Sequence, residues 1–160
     1  GSMAARLAEL FLTEIVDKCD YGIDLHTGAV HRDNLPQIRA NLDDPETSRI
    51  AHAFHVPVLL NSDMRDGSLR QVAAEHGIPI LLYEAGEALR FNESAIRSGV
   101  KGIIGVMREL GMLPAGAAVT ITPSNGARLF ASRNLASIAR ISDCARIIAL
   151  RACSMRVLDA

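Results

Sequence analysis

Three places in this 160-residue chain carry side chains suited to chemistry. The first is Asp24-Leu25-His26-Thr27-Gly28, where an imidazole follows a carboxylate by two residues. Neutral imidazole suits zinc, and a nearby carboxylate can orient the ring that binds it. A hydrogen-bonded histidine at a strand end fits the same residues. The second place is Glu84, which closes the apolar run Ile78-Pro79-Ile80-Leu81-Leu82-Tyr83. Burial there would raise the pKa of its carboxyl and equip it to take a proton from zinc-bound water near neutral pH. Backbone amides of the Ala85-Gly86 turn could equally satisfy it. The third is Arg70, near a helix start, where a guanidinium can pair bidentately with a substrate carboxylate. A solvated arginine or a structural ion pair fits that position too. Weaker signals come from His52 and His55 on a predicted helix, and from Asp63 and Asp66 in a loop.

These side chains need elements to position them. Leu7, Leu10, Phe11, Ile15 and Val16 form one stripe of a predicted amphipathic helix over Met3 to Cys19. Gly22 to His26 reads as a strand that turns out at Thr27-Gly28, and a second short extended stretch falls within 35–42. Asp43-Asp44-Pro45-Glu46 opens a helix from Pro45 to Phe54. Val56 to Leu60 is a buried-type strand, Asn61 to Gly67 a loop, and Ser68 to His76 a helix closed by Gly77. Ile78 to Glu84 follows as a second buried strand. Asn92 caps the clearest helix, Glu93 to Leu110, with Ile96, Val100, Ile103, Ile104, Met107 and Leu110 at helical spacing. Such alternation predicts an α/β domain with a largely parallel sheet, and ligands of such sheets bind at the carboxyl ends of strands. His26 and Glu84 both stand at such ends. Beyond Pro114, Ala117 to Thr122 suits a strand and Asn125-Gly126 a turn. Arg140, Arg146, Arg151 and Arg156, set in an Ala/Ile/Leu pattern over 134–160, suit a basic amphipathic helix.

Seventeen basic against 18 acidic residues leave a net charge of -1, so no broad positive field attracts nucleic acid or an anionic membrane. Aromatic residues make up 4% with no Trp, a poor base-stacking platform. A small-molecule partner is the expectation. Cys19, Cys144 and Cys153 include no CxxC spacing, which suits a reducing cytoplasm. No run of 18 apolar residues follows the tag-like Gly1-Ser2-Met3. No GxGxxG follows the first strand, which ranks a nucleotide-binding domain last.

Asp24-Leu25-His26-Thr27-Gly28 and Tyr83-Glu84-Ala85-Gly86-Glu87 resemble the succinylglutamate desuccinylase/aspartoacylase family, relatives of the zinc carboxypeptidases. Asp33-Asn34-Leu35-Pro36-Gln37-Ile38-Arg39 and Gly67 to Glu75 add to the resemblance, which spans about Leu7 to Leu113. It implies a three-layer, largely parallel sheet of the zinc carboxypeptidase type, over residues 3–113, with 114–160 as an atypical extension. It further implies zinc as cofactor, His26 as the third zinc ligand, Glu84 as the acid that activates metal-bound water, and Arg70 as the arginine receiving substrate carboxylate. The reaction so implied is hydrolysis of the amide in an N-acyl amino acid or similar carboxylate. The family draws its first two zinc ligands from an upstream His-x-x-Glu, and none occurs here. Nor do residues after about Ser132 resemble its small β-rich domain. The expectation is an incomplete domain that binds zinc weakly by itself and turns over poorly. The alternative is a non-catalytic α/β module of the same ancestry that homo-oligomerises through an exposed sheet edge.

Overall fold

Among the described residues, four of the five strand pairings join segments far apart in sequence, so tertiary packing assembles the sheet around the helices that cover it. A computed structural model describes residues 2–62, 67–114, 116, 139–141 and 145–150. In order, the elements are α1 (Met3–Glu14), a 3-10 turn (Val16–Lys18), β1 (Tyr21–Gly28), β2 (Asn34–Ala40), α2 (Pro45–Ala53), β3 (Val58–Asn61), α3 (Leu69–Glu75), β4 (Ile80–Glu87), α4 (Glu93–Glu109), β5 (Ala139–Ile141) and β6 (Ala145–Leu150). The strands lie in the order β3-β2-β4-β1-β6-β5. β1 runs parallel to β4 and β2 parallel to β3, while β2 and β4 are antiparallel. The first four strands are thus mixed but mostly parallel, an α/β architecture.

Helices cover both faces. On one, Ile50, Phe54 and Val106 from α2, its C-terminal cap and α4 pack on Ile23, Ile38, Leu81 and Tyr83. On the other, Val16 and Ala73 pack with Ile78 and Ile80, beside the half-buried Phe11, Leu12 and Leu69. The helix starts follow their caps. Asp44 Oδ2 accepts from the Thr47 amide and hydroxyl at the head of α2, and Asn92 Oδ1 accepts from the Ala95 amide at the head of α4. Each cap satisfies donors that a helix end otherwise leaves bare.

Three expectations change in the structure. The first helix ends at Glu14, and none of its residues is fully buried: Leu7 and Leu10 face solvent, Phe11 and Leu12 pack half-buried against the second cluster, and Val16, in the following turn, is buried in it. In α4 the fully buried residues are Ala95, Gly99, Gly102 and Val106; Ile103, Met107 and Leu110 of the expected apolar set pack half-buried against the core, and Ile96 is exposed. Where a basic helix was expected over 134–160, the described parts are strands, with Ala145–Leu150 antiparallel to Tyr21–Leu25 of β1. The adjacent β-branched Ile147 and Ile148 suit a strand, and the unpaired side of β1 supplies a partner that sequence period cannot reveal. The expected strand Ala117 to Thr122, the Asn125-Gly126 turn and the acids Asp63 and Asp66 lie outside the described residues. Among the described residues, no helix is long and apolar enough to cross a membrane.

A charged network pins α2 between β1 and α4. Glu46 Oε1 accepts from Tyr21 Oη at 2.6 Å and from Arg49 Nη2 at 2.6 Å, and Arg49 Nη1 donates to Glu109 Oε1 at 2.6 Å. The Arg49 bonds, then the Tyr21 bond, pull the Glu46 pKa down to about 2. A carboxyl lowered on folding contributes stability above its unfolded pKa and loses it as pH falls through the folded one. Glu46→Gln should therefore unfold at lower urea than the parent at pH 7, by no more than about 1 kcal/mol for so exposed a pair. The two urea midpoints should converge as pH falls from about 4.5 toward 2. A constant gap over that range would remove the network as its source.

Candidate active site

Alternation along the strands decides which side chains share a face. In β4, Leu81, Tyr83 and Ala85 enter the main core, so Leu82 and Glu84 point to the other side. In β1, Ile23 is buried in that core and Leu25 packs against it, leaving Asp24 and His26 on the face of Glu84. The parallel register then sets His26 directly opposite Glu84, and Asp24 opposite Leu82. From the other flank, antiparallel β2 sets Gln37 opposite Glu84 and Arg39 opposite Leu82, because Ile38 pairs with Tyr83 in the core. Three strands thus build one polar patch near the carboxyl ends of β1 and β4.

The contacts within it are specific. His26 Nε2 lies 2.9 Å from Asp24 Oδ2. An acceptor carboxylate assigns the ring proton to Nε2, which leaves Nδ1 to meet a ligand. The Asp24 hydrogen bond raises the His26 pKa above its ordinary value; burial opposes the rise, the charges of Asp24 and Glu84 add to it, and Arg39 subtracts. Asn34 Nδ2 donates to Glu84 Oε1. Arg39 Nε lies 3.5 Å from Glu84 Oε2, close enough for an ion pair but outside hydrogen-bond geometry. The polar neighbours of Glu84 are therefore an amide and a guanidinium. Asp24 and Glu84 form the floor at 10% and 14% side-chain exposure, while His26 and Arg39 are open at 35% and 37%.

The loops after β1 and β4 are tied together beside this patch. The Ala88 amide donates to the Gly28 carbonyl at 2.9 Å and the His31 amide to Glu87 Oε1 at 2.8 Å. A Cβ at Gly28 would stand 2.1 Å from the Arg32 carbonyl oxygen, so only glycine lets the loop close that tightly.

Arg70 lies elsewhere. Its Nη1 donates to Ser62 Oγ at 3.0 Å, and it lines a cleft with Asn41, Asp44, Thr47 and Ile80. Ile80 begins β4, so about 13 Å of strand separates that level from Glu84. The structure brings His26 and Glu84 together and leaves Arg70 apart. A wider cleft, lined by Asp17, Tyr21, Glu46, His76 and Pro79, sits at the amino ends of β1 and β4, adjoining the Arg70 cleft through Glu46 and Pro79 and away from His26 and Glu84. His52 and His55 turn their Nδ1 atoms to the carbonyls of Ser48 and Ala53, so the pair does not converge on a site. Asn34 and Arg39 were not assigned roles from sequence. Their signal was the alternation of polar residues with Ile38 and Ala40 in a short strand.

The donor set bears on zinc. His26 offers one free ring nitrogen, with a carboxylate orienting the other, as a histidine ligand requires. Among the described residues, however, no group of three His, Cys, Asp or Glu side chains could hold a metal ion. Catalytic zinc takes three protein ligands. The described residues alone do not complete such a site.

Helices on both faces of a mostly parallel sheet, with an imidazole and a carboxylate paired at its strand ends, form a recognisable α/β scaffold for a polar site. The family model of the Succinylglutamate desuccinylase/Aspartoacylase catalytic domain matches residues 2–110, and the chain belongs to that family. Among solved structures it resembles the succinylglutamatedesuccinylase/aspartoacylase from Rhodobacter sphaeroides, at 27% identity and a TM-score of 0.61 over 69% of this chain. It spans 34% of that chain. The apo Ectoine utilization protein EutE (DoeB) from Ruegeria pomeroyi shares the fold at 18% identity and a TM-score of 0.65, over 95% of this chain and 59% of its own. The product-bound form of that protein aligns at 19% identity and a TM-score of 0.64, over 95% and 57%. A comparison with curated proteins returns no match.

Proposed function

We propose that this chain carries part of the site of an amide hydrolase that deacylates an N-acyl amino acid or similar carboxylate. One observation carries the reading: His26 and Glu84 stand opposite each other on neighbouring parallel strands, facing one way. Glu84 is the general base. Its Oε1 is held by Asn34, which leaves Oε2 lone pairs to draw a proton from the attacking water and pass it to the leaving amine. His26, steadied by Asp24, supplies one ligand toward zinc through Nδ1, and the remaining donors come from outside the described residues. When bound, zinc polarises a substrate carbonyl. In the assignment that the resemblance implies, Arg70 receives the substrate carboxylate. Family membership supports the reaction class.

The test is zinc-supplemented hydrolysis of a panel of N-acyl amino acids, comparing the parent with a His26→Ala/Glu84→Gln double variant. The parent should release free amino acid faster than the double variant on at least one substrate. Indistinguishable rates across the panel would discard the reading.

A second reading, a non-catalytic module that self-associates, draws on α1, which turns Met3, Leu7 and Leu10 to solvent along one side. Sedimentation as a monomer at high concentration would eliminate it.

A further inference from the structure

We infer that Gln37, on β2, accepts the N–H of the scissile amide and turns the leaving nitrogen toward Glu84, an inference that rests on the amide-hydrolase reading. Strand register puts Gln37, Glu84 and His26 in one row across β2, β4 and β1. All three face the same way, because their sequence neighbours Ile38, Tyr83 and Leu25 pack into the main core. Adjacent strands lie about 4.8 Å apart, so Glu84 has an imidazole on one flank and a primary amide on the other, each within a side chain's reach. Beyond Gln37 the row continues with Val58 of β3, which makes Gln37 its last polar group. The other polar side chains of the patch are engaged: Asp24 with His26, and Asn34 and Arg39 with Glu84. Gln37 is half-buried and, among the described residues, makes no side-chain hydrogen bond. A primary amide carries an acceptor oxygen and two donor hydrogens, and a ligand that displaces water from it must replace the lost bonds.

The chemistry of hydrolysis fixes which ligand group meets it. Glu84 takes a proton from the attacking water, and the water oxygen bonds to the carbonyl carbon. The carbon–nitrogen bond then breaks as that proton passes to nitrogen, leaving an acid and an amine. The nitrogen must therefore lie within hydrogen-bond reach of Glu84, with its lone pair aimed at the carboxyl and its own N–H aimed elsewhere. His26 holds one flank of Glu84, and on the other stands Gln37, whose Oε1 is free to accept that N–H. Gln37 neither gains nor loses a proton. Its bond selects amides that carry an N–H and holds the leaving nitrogen in the orientation that proton return requires. Asn34 brings a second amide to this end of the sheet, but its Nδ2 is already tied to Glu84.

The experiment titrates the zinc-supplemented protein with N-acetylglycine and with its ester counterpart O-acetylglycolate, which has an oxygen in place of the N–H, followed by NMR chemical shifts. The parent should prefer the amide by about fivefold, the worth of one neutral hydrogen bond. Gln37→Leu should erase that preference. Gln37→Glu should weaken both anions alike through charge repulsion yet keep the preference, because a carboxylate still accepts, and it serves as the folded control. Asn34→Ala should leave the preference in place. A parent that binds the two compounds equally, or binds neither, would overturn the inference. So would a preference that survives in Gln37→Leu, that vanishes in Asn34→Ala, or that is lost as completely in Gln37→Glu as in Gln37→Leu. Binding needs no turnover, so the two readings separate. The amide preference without hydrolysis of any N-acyl amino acid removes the catalytic reading and keeps Gln37 as the N–H acceptor, whereas hydrolysis without the preference removes Gln37 alone.

Discussion

Glu84→Gln should lower kcat for amide hydrolysis by about 10²–10⁴-fold, the usual worth of a positioned general base, with KM nearly unchanged. The amide has almost the shape of the carboxylate, and its oxygen can still accept from Asn34 Nδ2, so the patch should keep its form. What the substitution removes is the ability to take a proton, which matters only as the water attacks. A loss confined to kcat and kcat/KM is the mark of an interaction made in the transition state. Steady-state kinetics with added zinc, alongside Asn34→Ala, would separate base from support. Asn34→Ala frees Oε1 without removing the carboxylate and should cost less, on the order of tenfold. If Glu84→Gln kept a kcat within about twofold of the parent, the proton would have to go elsewhere, and the acid would be only a strand-end carboxylate.

How far the site could be read from sequence follows from which interactions are local. In β1, Ile23 and Leu25 alternate with Asp24 and His26, so the facing of His26 was legible. In β4 the run before Glu84 is apolar at every position, so only packing shows that Leu81, Tyr83 and Ala85 enter the main core and Glu84 faces the other way. The register of the two residues likewise needed the tertiary pairing of strands more than fifty residues apart. Arg39 and Asn34 belong to a strand that joins β4 from the other side and antiparallel to it, and nothing in their own spacing announces that neighbour. Arg70 shows the converse. A helix start can be read from Ser68, but the direction an arginine takes from it depends on Ser62, which packing alone supplies. Residues 145–150 depart from the expected helix for a related reason: the arginines suggest a period, but the open flank of β1 takes Ala145–Leu150 as a strand.

Helix α4 shows the same limit in its glycines, and it yields the largest expected effect on stability. By intrinsic propensity, Gly102→Ala in a helix interior should stabilise by about 1 kcal/mol. The packing predicts the opposite sign. A Cβ at position 102 would stand 2.0 Å from Phe54 Cε1 and 2.1 Å from Cδ1. Phe54 is fully buried and stacked on Tyr83 at 5.1 Å between ring centroids, and Tyr83 is itself fixed by its hydroxyl donating to the Ala95 carbonyl at 2.7 Å. Nor can α4 slide to make room, because a Cβ at Gly105 would already meet the Ala53 carbonyl oxygen at 2.3 Å. Interiors packed this closely accommodate an added methyl only by moving backbone. Gly102→Ala should therefore lose about 3 kcal/mol, a fall in Tm of roughly 6–12 °C, measured by thermal and urea unfolding. Gly99→Ala, whose Cβ would meet Tyr83 Cε1 at 2.9 Å, should lose less. Adding Phe54→Leu to Gly102→Ala should restore part of the loss, because two residues in contact couple. Stabilisation by Gly102→Ala would mean that α4 does not rest on Phe54. The layer that fixes Tyr83, and through it the facing of Glu84, would then need another explanation.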